Sequence, residues 1–429
     1  MHKQIEAITL EKIVGGGQAL GTAPDGRKVF VWGGLPGETV NISVTKKKSK
    51  MIEGVVSDVI TRSDQRIEPR DPDSHLSTSP WQIMTFEAEQ HYKAALIEEA
   101  FELHNIVLPQ PISLYSDGKE FAYRNKIEFS FWFDTDTEKL SLAFFRRGTH
   151  GKIPVDGTSL AHPAILDTAQ HIVDTLNLLK VEGRMLKTLL IRCNKQGRVS
   201  WQLYVKDDMV PAEELLRSVG INAVSAEVIF SNPKSPASVI TSRIARTSRT
   251  PLQDTVLDVP FRYATEGFFQ INLPVYEQAL RDMKQWILPD TPVVDLYSGV
   301  GTIGLTIGGE DVTLVEINEH AVREMEMNIK RLQRTGARAV LAPSEKALDY
   351  ITKESCIIVD PPRAGLHEDV IEKFLTEQPR RIIYLSCNPV TQARDVEKLA
   401  EKYGIKAHGG YNFFPRTPHI EHLVILDLK

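Results

Sequence analysis

The sequence contains little cysteine, no long apolar run and no strong excess of charge. Its 429 residues include three cysteines, too few and too scattered for a disulfide framework or a four-thiolate metal site. No stretch approaches the roughly 18 consecutive apolar residues of a membrane span, and the N-terminus lacks the apolar run of a signal peptide. We therefore expect a cytoplasmic protein with no membrane segment.

The composition is that of a globular protein, with 42% hydrophobic and 25% charged residues. The length predicts two or three domains. The net charge of −5 is unevenly placed, because residues 1–62 carry nine basic and six acidic residues, a balance of 9 − 6 = +3. A basic module on an acidic body fits a domain that guides nucleic acid, although a solvated basic face is the commoner meaning of such a bias.

Three patterns follow one another along the chain. Residues 1–61 read as short alternating strands with turns, which predicts a small all-β barrel of the OB-like kind that often binds nucleic acid. Residues 62–255 mix strands and helices and predict an α+β central domain. Residues 256–429 alternate apolar strands with amphipathic helices, which predicts a doubly wound α/β domain whose ligands bind at the carboxyl ends of its strands. Four lysines lie close together at the end of a predicted strand of the barrel: Lys46, Lys47, Lys48 and Lys50. They would either contact phosphates or form a solvated surface turn.

A glycine-rich loop follows the first strand of the α/β domain. Residues 299–304 read G-x-G-x-x-G, and Glu316 ends the next strand 21 residues beyond Asp295. Gly299 and Gly301 permit a tight turn with close approach of a ligand, and the acid can bind ribose hydroxyls. Because Asp295 stands at the strand end and would repel a pyrophosphate, we expect S-adenosylmethionine rather than NAD.

A cysteine lies at the end of another strand of the same domain. Cys387 follows the strand RIIYLS and precedes a helix that begins near Pro389, so we expect an open thiol whose thiolate is favoured by the helix N-terminus. Cys193 and Cys356 lie in or just before apolar strands and are expected to be buried. A thiolate that adds to C6 of uracil makes an enolate whose C5 can accept a methyl group from a sulfonium.

Loss of the C5 proton then requires a base. The C-terminal sequence HIEHLVIL offers Glu421, flanked by His419 and His422. Asp360, in the loop DPPR at the end of a third strand, and His419 are the alternatives for this base. Taken alone, Glu421 reads as a surface residue, and the chemistry is what selects it.

These motifs resemble the RNA uracil-C5 methyltransferases, which have an N-terminal TRAM barrel, a central domain and a C-terminal S-adenosylmethionine domain. The resemblance covers nearly the whole chain and rests on IVGGGQALG, YRNK, GFFQIN, DLYSGVGTIGL, VEIN, DPPRAGL, YLSCNPVTQARD and FPRTPHIE. It implies that Gln270, Tyr297, Glu316 and Asp360 contact the cofactor or lie against it. It also implies that Cys387 is the nucleophile and Glu421 the base.

The sequence departs from this family at one place. Many relatives hold an iron–sulfur cluster with four cysteines, and here Asp71, Ser77 and Pro80 stand where three of them would be, with no cysteine near Thr158 or Ser159. We therefore expect no metal.

Two other classes remain open, an enzyme that methylates amino groups and a non-catalytic RNA-binding protein. The first needs no thiol, and the second needs neither Cys387 nor the cofactor motifs. Within the leading interpretation we expect a monomer acting on ribosomal RNA, 23S rRNA in particular, with tRNA as the alternative. Phe268 and Phe269 are expected either to stack on an extruded base or to pack in the core.

Overall fold

The computed structural model describes residues 4–149, 151–220, 222–236 and 238–429. Contacts divide the chain into two units. The first comprises the chain up to Glu89 with Lys119–Leu252 and Pro415–Pro418, and the second comprises Gln90–Gly118, Gln253–Phe414 and His419–Lys429. The boundaries expected for three domains at residues 61 and 255 remain predictions.

The strands in chain order are β1 (Gln4–Ile13), β2 (Ala19–Thr22), β3 (Lys28–Trp32), β4 (Thr39–Lys47), β5 (Met51–Thr61), β6 (Leu114–Tyr115), β7 (Lys126–Asp134), β8 (Lys139–Phe145), β9 (Lys152–Val155), β10 (Leu186–Cys193), β11 (Val199–Val205), β12 (Ser225–Phe230), β13 (Ser242–Arg246), β14 (Leu252–Val256), β15 (Val259–Tyr263), β16 (Val293–Leu296), β17 (Val312–Glu316), β18 (Ala337–Leu341), β19 (Cys356–Val359), β20 (Arg381–Ser386), β21 (Tyr403–Tyr411) and β22 (Glu421–Leu428).

The α-helices are α1 (His75–Thr78), α2 (Phe86–Glu102), α3 (Pro163–Leu178), α4 (Ala212–Leu215), α5 (Leu273–Lys284), α6 (Thr302–Ile307), α7 (Glu319–Arg331), α8 (Glu368–Glu377) and α9 (Pro389–Leu399). Short 3-10 turns cover Gly183–Met185, Ser344–Lys346 and Leu348–Tyr350, and a π turn covers Leu216–Gly220. Among the described residues, no helix combines the length and the apolar character needed to cross a membrane.

The barrel predicted at the N-terminus is confirmed. Strands β1 to β5 close in the order β1-β2-β3-β5-β4. Alternate residues point inward, as the period of two requires, and the interior is filled by branched side chains that are almost fully buried. They include Val29, Val31, Val40 and Ile42.

The first unit also contains a seven-stranded sheet in the order β13-β12-β11-β10-β7-β8-β9. Helix α3 covers one face of it. The helix begins with Pro163, whose fixed φ suits the first helical position, and the ring of His162 accepts a hydrogen bond from the backbone N–H of Ala164. The shared core joins apolar residues of the helix to inward-facing residues of the strands, among them Ile165, Ile172, Phe129, Leu142 and Trp201.

A group of hydrogen-bonded polar side chains in the first unit lies where many relatives have the cysteines of the iron–sulfur cluster. One oxygen of Asp71 accepts hydrogen bonds from the hydroxyls of Thr158 (3.1 Å) and Ser159 (2.9 Å) and from the amide of Gln82 (3.0 Å). The backbone N–H of Ser159 lies 3.0–3.1 Å from both oxygens of the Asp71 carboxylate. A single carboxylate therefore joins two segments that are nearly ninety residues apart in sequence.

The second unit holds an eight-stranded sheet in the order β18-β17-β16-β19-β20-β22-β21-β6. Strands β16 to β20 are parallel, and β22 lies antiparallel between β20 and β21. The predicted doubly wound sheet is thus confirmed. The strand order reverses between β16 and β19, so their carboxyl ends border the crevice where such sheets bind ligands.

Candidate active site

The glycine loop leaves β16 at the edge of this crevice. Tyr297 takes a left-handed conformation (φ 65°), as do Gly299 (φ 57°) and Gly301 (φ 85°). A Cβ atom on Gly299 would meet nothing within 4 Å, so the backbone there faces open space that a ligand can occupy. A Cβ on Gly304 would lie 2.4 Å from Leu314, which shows that this glycine lets α6 pack against β17.

Asp295 lies below this loop and is fully buried. Its Oδ2 accepts a hydrogen bond of 2.9 Å from the backbone N–H of Gly304. Burial, together with the nearby carboxylates of Asp360 and Glu316, raises the pKa of Asp295 to about 8. That this carboxyl group disfavours a pyrophosphate stays a prediction.

Glu316 holds the loop from the neighbouring strand. Its Oε2 accepts a hydrogen bond of 2.9 Å from the backbone N–H of Gly299, and its Oε1 accepts one of 2.7 Å from the N–H of Asn318. The carboxylate is half-buried at the end of β17. Each of its oxygens keeps a lone pair for a hydroxyl group of a ligand.

The residues present fit a nucleoside cofactor that carries a positive charge. The Oδ1 atom of Asp295 is buried without a hydrogen-bond partner among the described residues, and the space beside Gly299 is open. Tyr297 is mostly buried, and its phenol interacts with the side chain of Ser344 and the backbone of His367. Gln270 is buried in the same unit, three residues before α5.

Cys387 follows β20 directly and is half-buried, whereas Cys193 and Cys356 are fully buried, as predicted. Helix α9 begins two residues later, and the side chain of Asn388 caps it by accepting a hydrogen bond from the N–H of Val390. The expected thiolate is not favoured, however. Burial, followed by the negative charges of Glu421 and Asp360, raises the pKa of the Cys387 thiol to about 11.

Glu421 lies on the strand next to Cys387. The antiparallel register of β20 and β22 ends with Ser386 paired to His422, the residues that adjoin Cys387 and Glu421, and the charge of Glu421 acts on the Cys387 thiol. Glu421 is 5% exposed, which excludes the surface residue that its sequence context suggested. Burial and the charge of Asp360 raise its pKa well above the ordinary value.

Asp360 completes this group of acids at the carboxyl end of β19. Burial raises its pKa to about 7. Because its charge acts on Cys387, Glu421 and Asp295, the structure brings the predicted acids and the thiol together.

Arg363 was quoted in the DPPR motif, but sequence reasoning gave it no role. Its carbonyl oxygen accepts hydrogen bonds from Asn388 Nδ2 (2.9 Å) and Thr391 Oγ1 (3.2 Å), both beside the thiol. Its Nη2 lies 3.0 Å from Nδ1 of His419. The guanidinium charge lowers the pKa of both Cys387 and Glu421, opposing the effect of burial.

Tyr276 is a second residue that the sequence did not reveal. It lies on α5, is 1% exposed, and its hydroxyl donates a hydrogen bond of 3.0 Å to Thr302 Oγ1 at the start of α6. Burial raises the pKa of its phenol, and the charges of Asp360, Asp295 and Glu421 act in the same direction. The only sequence clue was its position on the helix that follows GFFQIN.

The two phenylalanines of GFFQIN have different environments. Phe269 is 3% exposed, and its ring stacks on Tyr263 with the ring centroids 4.0 Å apart, so it belongs to the core. Phe268 is 71% exposed. Of the two, Phe268 is the one whose ring is accessible to a base.

Known proteins that resemble this chain are RNA methyltransferases. Residues 345–429 match the model of the tRNA (uracil-5-)-methyltransferase family. An uncharacterized RNA methyltransferase of Enterococcus faecalis is 27% identical over 99% of this chain and 98% of the relative. One from Bacteroides thetaiotaomicron is 26% identical over 94% and 97% of the two chains.

Among solved structures, the Pyrococcus abyssi tRNA (uracil-54, C5)-methyltransferase in complex with S-adenosyl-L-homocysteine has the same fold. It superposes with a TM-score of 0.77 at 21% identity, over 99% of this chain and all of that chain. The fold and the matches define the class of protein: an RNA methyltransferase that uses S-adenosylmethionine. The resemblance expected from the motifs is confirmed, and the family whose model matches is named for methylation at position 5 of uracil.

Proposed function

We propose that this chain methylates C5 of a uridine in structured RNA through a covalent bond between the Cys387 sulfur and C6 of the base. The observation that carries the proposal is the register of β20 and β22, whose last pair, Ser386 and His422, adjoins Cys387 and Glu421. An enzyme that methylates amino groups needs no such pair. S-adenosylmethionine, when bound, supplies the methyl group.

The residues around the cofactor site and the thiol have separate roles in binding and in the reaction. Gly299, Gly301 and Glu316 would hold the nucleoside part of the cofactor, while Asp295, Asp360, Tyr297 and Gln270 would line its site. The Cys387 thiol loses its proton to water, and its sulfur forms a bond to C6 while the electron pair of the C5–C6 double bond moves toward C5 and O4 of the ring. Arg363 lies where its charge favours both the thiolate and this developing negative charge.

Glu421 then acts as the general base. After C5 is methylated, the Glu421 carboxylate takes the C5 proton, the electron pair of that bond re-forms the C5–C6 double bond, and the sulfur leaves as thiolate. The raised pKa of Glu421 suits this step, because a carboxylate with greater proton affinity is a better base near neutral pH. Asp360 and His419 are less favoured, since neither adjoins the last pair of residues in the register of β20 and β22.

Denaturing gels with labelled RNA test these roles. Cys387→Ala should form neither methylated product nor a covalent complex. Glu421→Gln should lower turnover by about 10²–10⁴-fold while a denaturation-resistant complex accumulates. Cys356→Ala and Glu401→Gln are the matched controls and should behave as wild type. A covalent complex with Cys387→Ala would refute the nucleophile, and normal turnover of Glu421→Gln would refute the base.

For the target we propose a uridine of 23S ribosomal RNA, on the strength of the N-terminal barrel, with the enzyme acting as a cytoplasmic monomer. The structural neighbour acts on tRNA, which makes tRNA the competing target. Accessibility of Phe268 supports extrusion of the target base into the site. Mass-spectrometric mapping of 5-methyluridine in a deletion strain decides between the two RNAs, because loss at a tRNA position alone would overturn the ribosomal assignment.

A further inference from the structure

Two hairpin tips meet in the first unit. One is the turn between β4 and β5, and the other is the segment 146–149 that follows β8. A Cβ atom on Gly148 would lie 2.9 Å from the Thr45 side chain, so the second tip packs directly against the end of β4. Arg147 stabilises this contact between the two tips. Its guanidinium lies 4.1 Å from the centroid of the Trp32 ring and donates a hydrogen bond to the carbonyl of Leu76.

The two tips together form a basic surface. Lys47, Lys48, Lys50 and Arg146 are exposed around the contact, as is Lys46, which pairs with Glu53 at 3.6 Å. Within the part of the chain that the structure describes, no carboxylate lies within 4 Å of the charged nitrogens of Lys48, Lys50 or Arg146. In a chain of net charge −5, such a concentration of uncompensated cations favours a polyanion.

Phe145 adds an aromatic ring to this surface. The neighbouring Phe144 packs against the core under α3, so the alternation of the strand turns Phe145 to the other face, where it is 56% exposed. Lys152 is its partner across the strands, and the Lys152 ammonium lies 5.4 Å from the ring centroid. The same ammonium donates a hydrogen bond of 2.9 Å to the carbonyl of Phe131, which fixes its position.

We propose that these two tips form a binding surface for an unpaired RNA segment, on which Phe145 stacks with one base while Arg146, Lys48 and Lys50 contact phosphates. We call it the hairpin surface. The inference rests on the proposed function, because RNA is the substrate named there. It identifies where an unpaired part of that substrate is held outside the reaction site.

The exposed ring decides between the candidate polyanions. Lysines and arginine alone would suit a duplex or an acidic protein equally well, because both present charge without exposed base faces. An unpaired base offers a flat surface that stacks on an aromatic side chain whatever its sequence. A cation held beside the ring strengthens binding of the adjoining phosphate chain.

The first test measures binding of a labelled twelve-nucleotide oligoadenylate by fluorescence anisotropy. This probe has no uridine, so it does not depend on methylation. Phe145→Ala should weaken binding by roughly 5- to 150-fold, which is the usual effect of losing one base stack. The matched control is Leu178→Ala, which removes an exposed apolar side chain from α3 on the other face of the sheet and should leave binding unchanged.

The second test reads the salt dependence of the same binding. Arg146→Gln should lower the slope of log affinity against log salt by about 0.7, the value for one phosphate contact on a single strand. Lys139→Gln, at the far end of the same strand, should not change it. All these side chains are exposed, and equal melting temperatures of the variants confirm that the fold is intact.

Three outcomes separate this inference from the proposed function. If Phe145→Ala binds oligoadenylate as tightly as wild type, or if it loses affinity for heparin to the same extent, the ring has no stacking role and the hairpin surface is wrong. If wild type binds the probe as expected but methylates no uridine, the hairpin surface stands and the proposed function fails. If RNA methylation is intact and a carboxylate-rich peptide competes for the surface more strongly than oligoadenylate, the partner is a protein and the inference is overturned.

Discussion

The reactivity of Cys387 toward an alkylating reagent tests the electrostatics of the site directly. Burial and the two acids raise the pKa of this thiol from its ordinary value of 9.0 to about 11. At pH 7.5 its thiolate population is then about 100-fold smaller than that of a thiol with the ordinary pKa. Because a more basic thiolate is intrinsically more nucleophilic, the alkylation rate should fall by only about tenfold.

The assay follows iodoacetamide modification of Cys387 by mass spectrometry between pH 7 and 10. Cys193 and Cys356 are fully buried and serve as internal references. The rate at Cys387 should rise about tenfold for each pH unit and should still be rising at pH 10, since the thiol remains largely protonated there. A plateau at or below pH 8.5 would refute this account of the site.

Substitutions that remove single charges test the direction in which each neighbouring group shifts the pKa of the Cys387 thiol. Glu421→Gln removes a like charge and should shift the alkylation profile to lower pH, whereas Arg363→Gln removes a stabilising cation and should shift it to higher pH. Glu401→Gln, on an exposed carboxylate outside this group, is the control and should leave the profile in place. Unchanged profiles for both site variants would show that the acids and the arginine do not act on the thiol.

Three further predictions follow from the cofactor side and from the polar cluster. Glu316→Gln should weaken binding of S-adenosylhomocysteine by about 1.5–3 kcal/mol in calorimetry, because hydrogen bonds to a charged acceptor are lost, and Glu319→Gln should not; equal affinities would contradict the role of Glu316. The pKa of Asp295 is about 8 in the folded chain, against an ordinary value of 3.8. Between these two values the folded state keeps a proton that the unfolded state loses. The free energy of unfolding should therefore fall as the pH rises from about 4 to 8. Asp295→Asn should flatten that fall in urea midpoints, and an unaltered pH dependence would refute the raised pKa. Asp71→Ala should lower the free energy of unfolding by about 1–3 kcal/mol, because it leaves the donors of Thr158, Ser159 and Gln82 unsatisfied, whereas the exposed neighbour Asp73 should tolerate the same change; equal stabilities would exclude Asp71 as a structural link.

Apart from Gln270, the parts of the site that the sequence predicted lie at strand ends. Short, fully buried strands followed by glycine or proline are easy to recognise, and the carboxyl ends of parallel strands converge on one edge of a sheet. Asp360, Cys387 and the glycine loop were located in this way. Glu421 was found differently, since only the chemistry of uracil required a base near the thiol.

The local sequence pattern did not predict the secondary structure where pairing between strands that are distant in sequence determines it. The alternation of strands and helices predicted over residues 256–429 is interrupted at SEKALDYITK, which makes two separate 3-10 turns, Ser344–Lys346 and Leu348–Tyr350, before β19. Helix α9 ends at Leu399, because the chain from Tyr403 pairs with β22 as strand β21. At Gly410 a Cβ would lie 2.7 Å from Leu114, so the close approach of β6 requires a glycine there.

The expectation of a ready thiolate at Cys387 failed for a related reason. A helix N-terminus is visible in the sequence and favours a negative charge, but its effect extends over a single turn. Burial and the presence of Glu421 and Asp360 depend on strands that lie far apart in sequence, and here they outweigh the helix. No inspection of the residues next to Cys387 would reveal that balance.

Burial gives the two reacting residues complementary properties. The low-dielectric environment that makes the Cys387 thiol reluctant to ionise also makes the Glu421 carboxylate more basic, because in both groups it disfavours the charged form. The nucleophile is thereby kept protonated in the free enzyme, while the base gains the proton affinity that removal of a carbon-bound proton demands. Arg363 opposes both effects with one charge, and its carbonyl is tied to the loop that carries the thiol. A substitution at Arg363 should therefore affect ionisation of the nucleophile and of the base together, which distinguishes it from a change at either reacting residue.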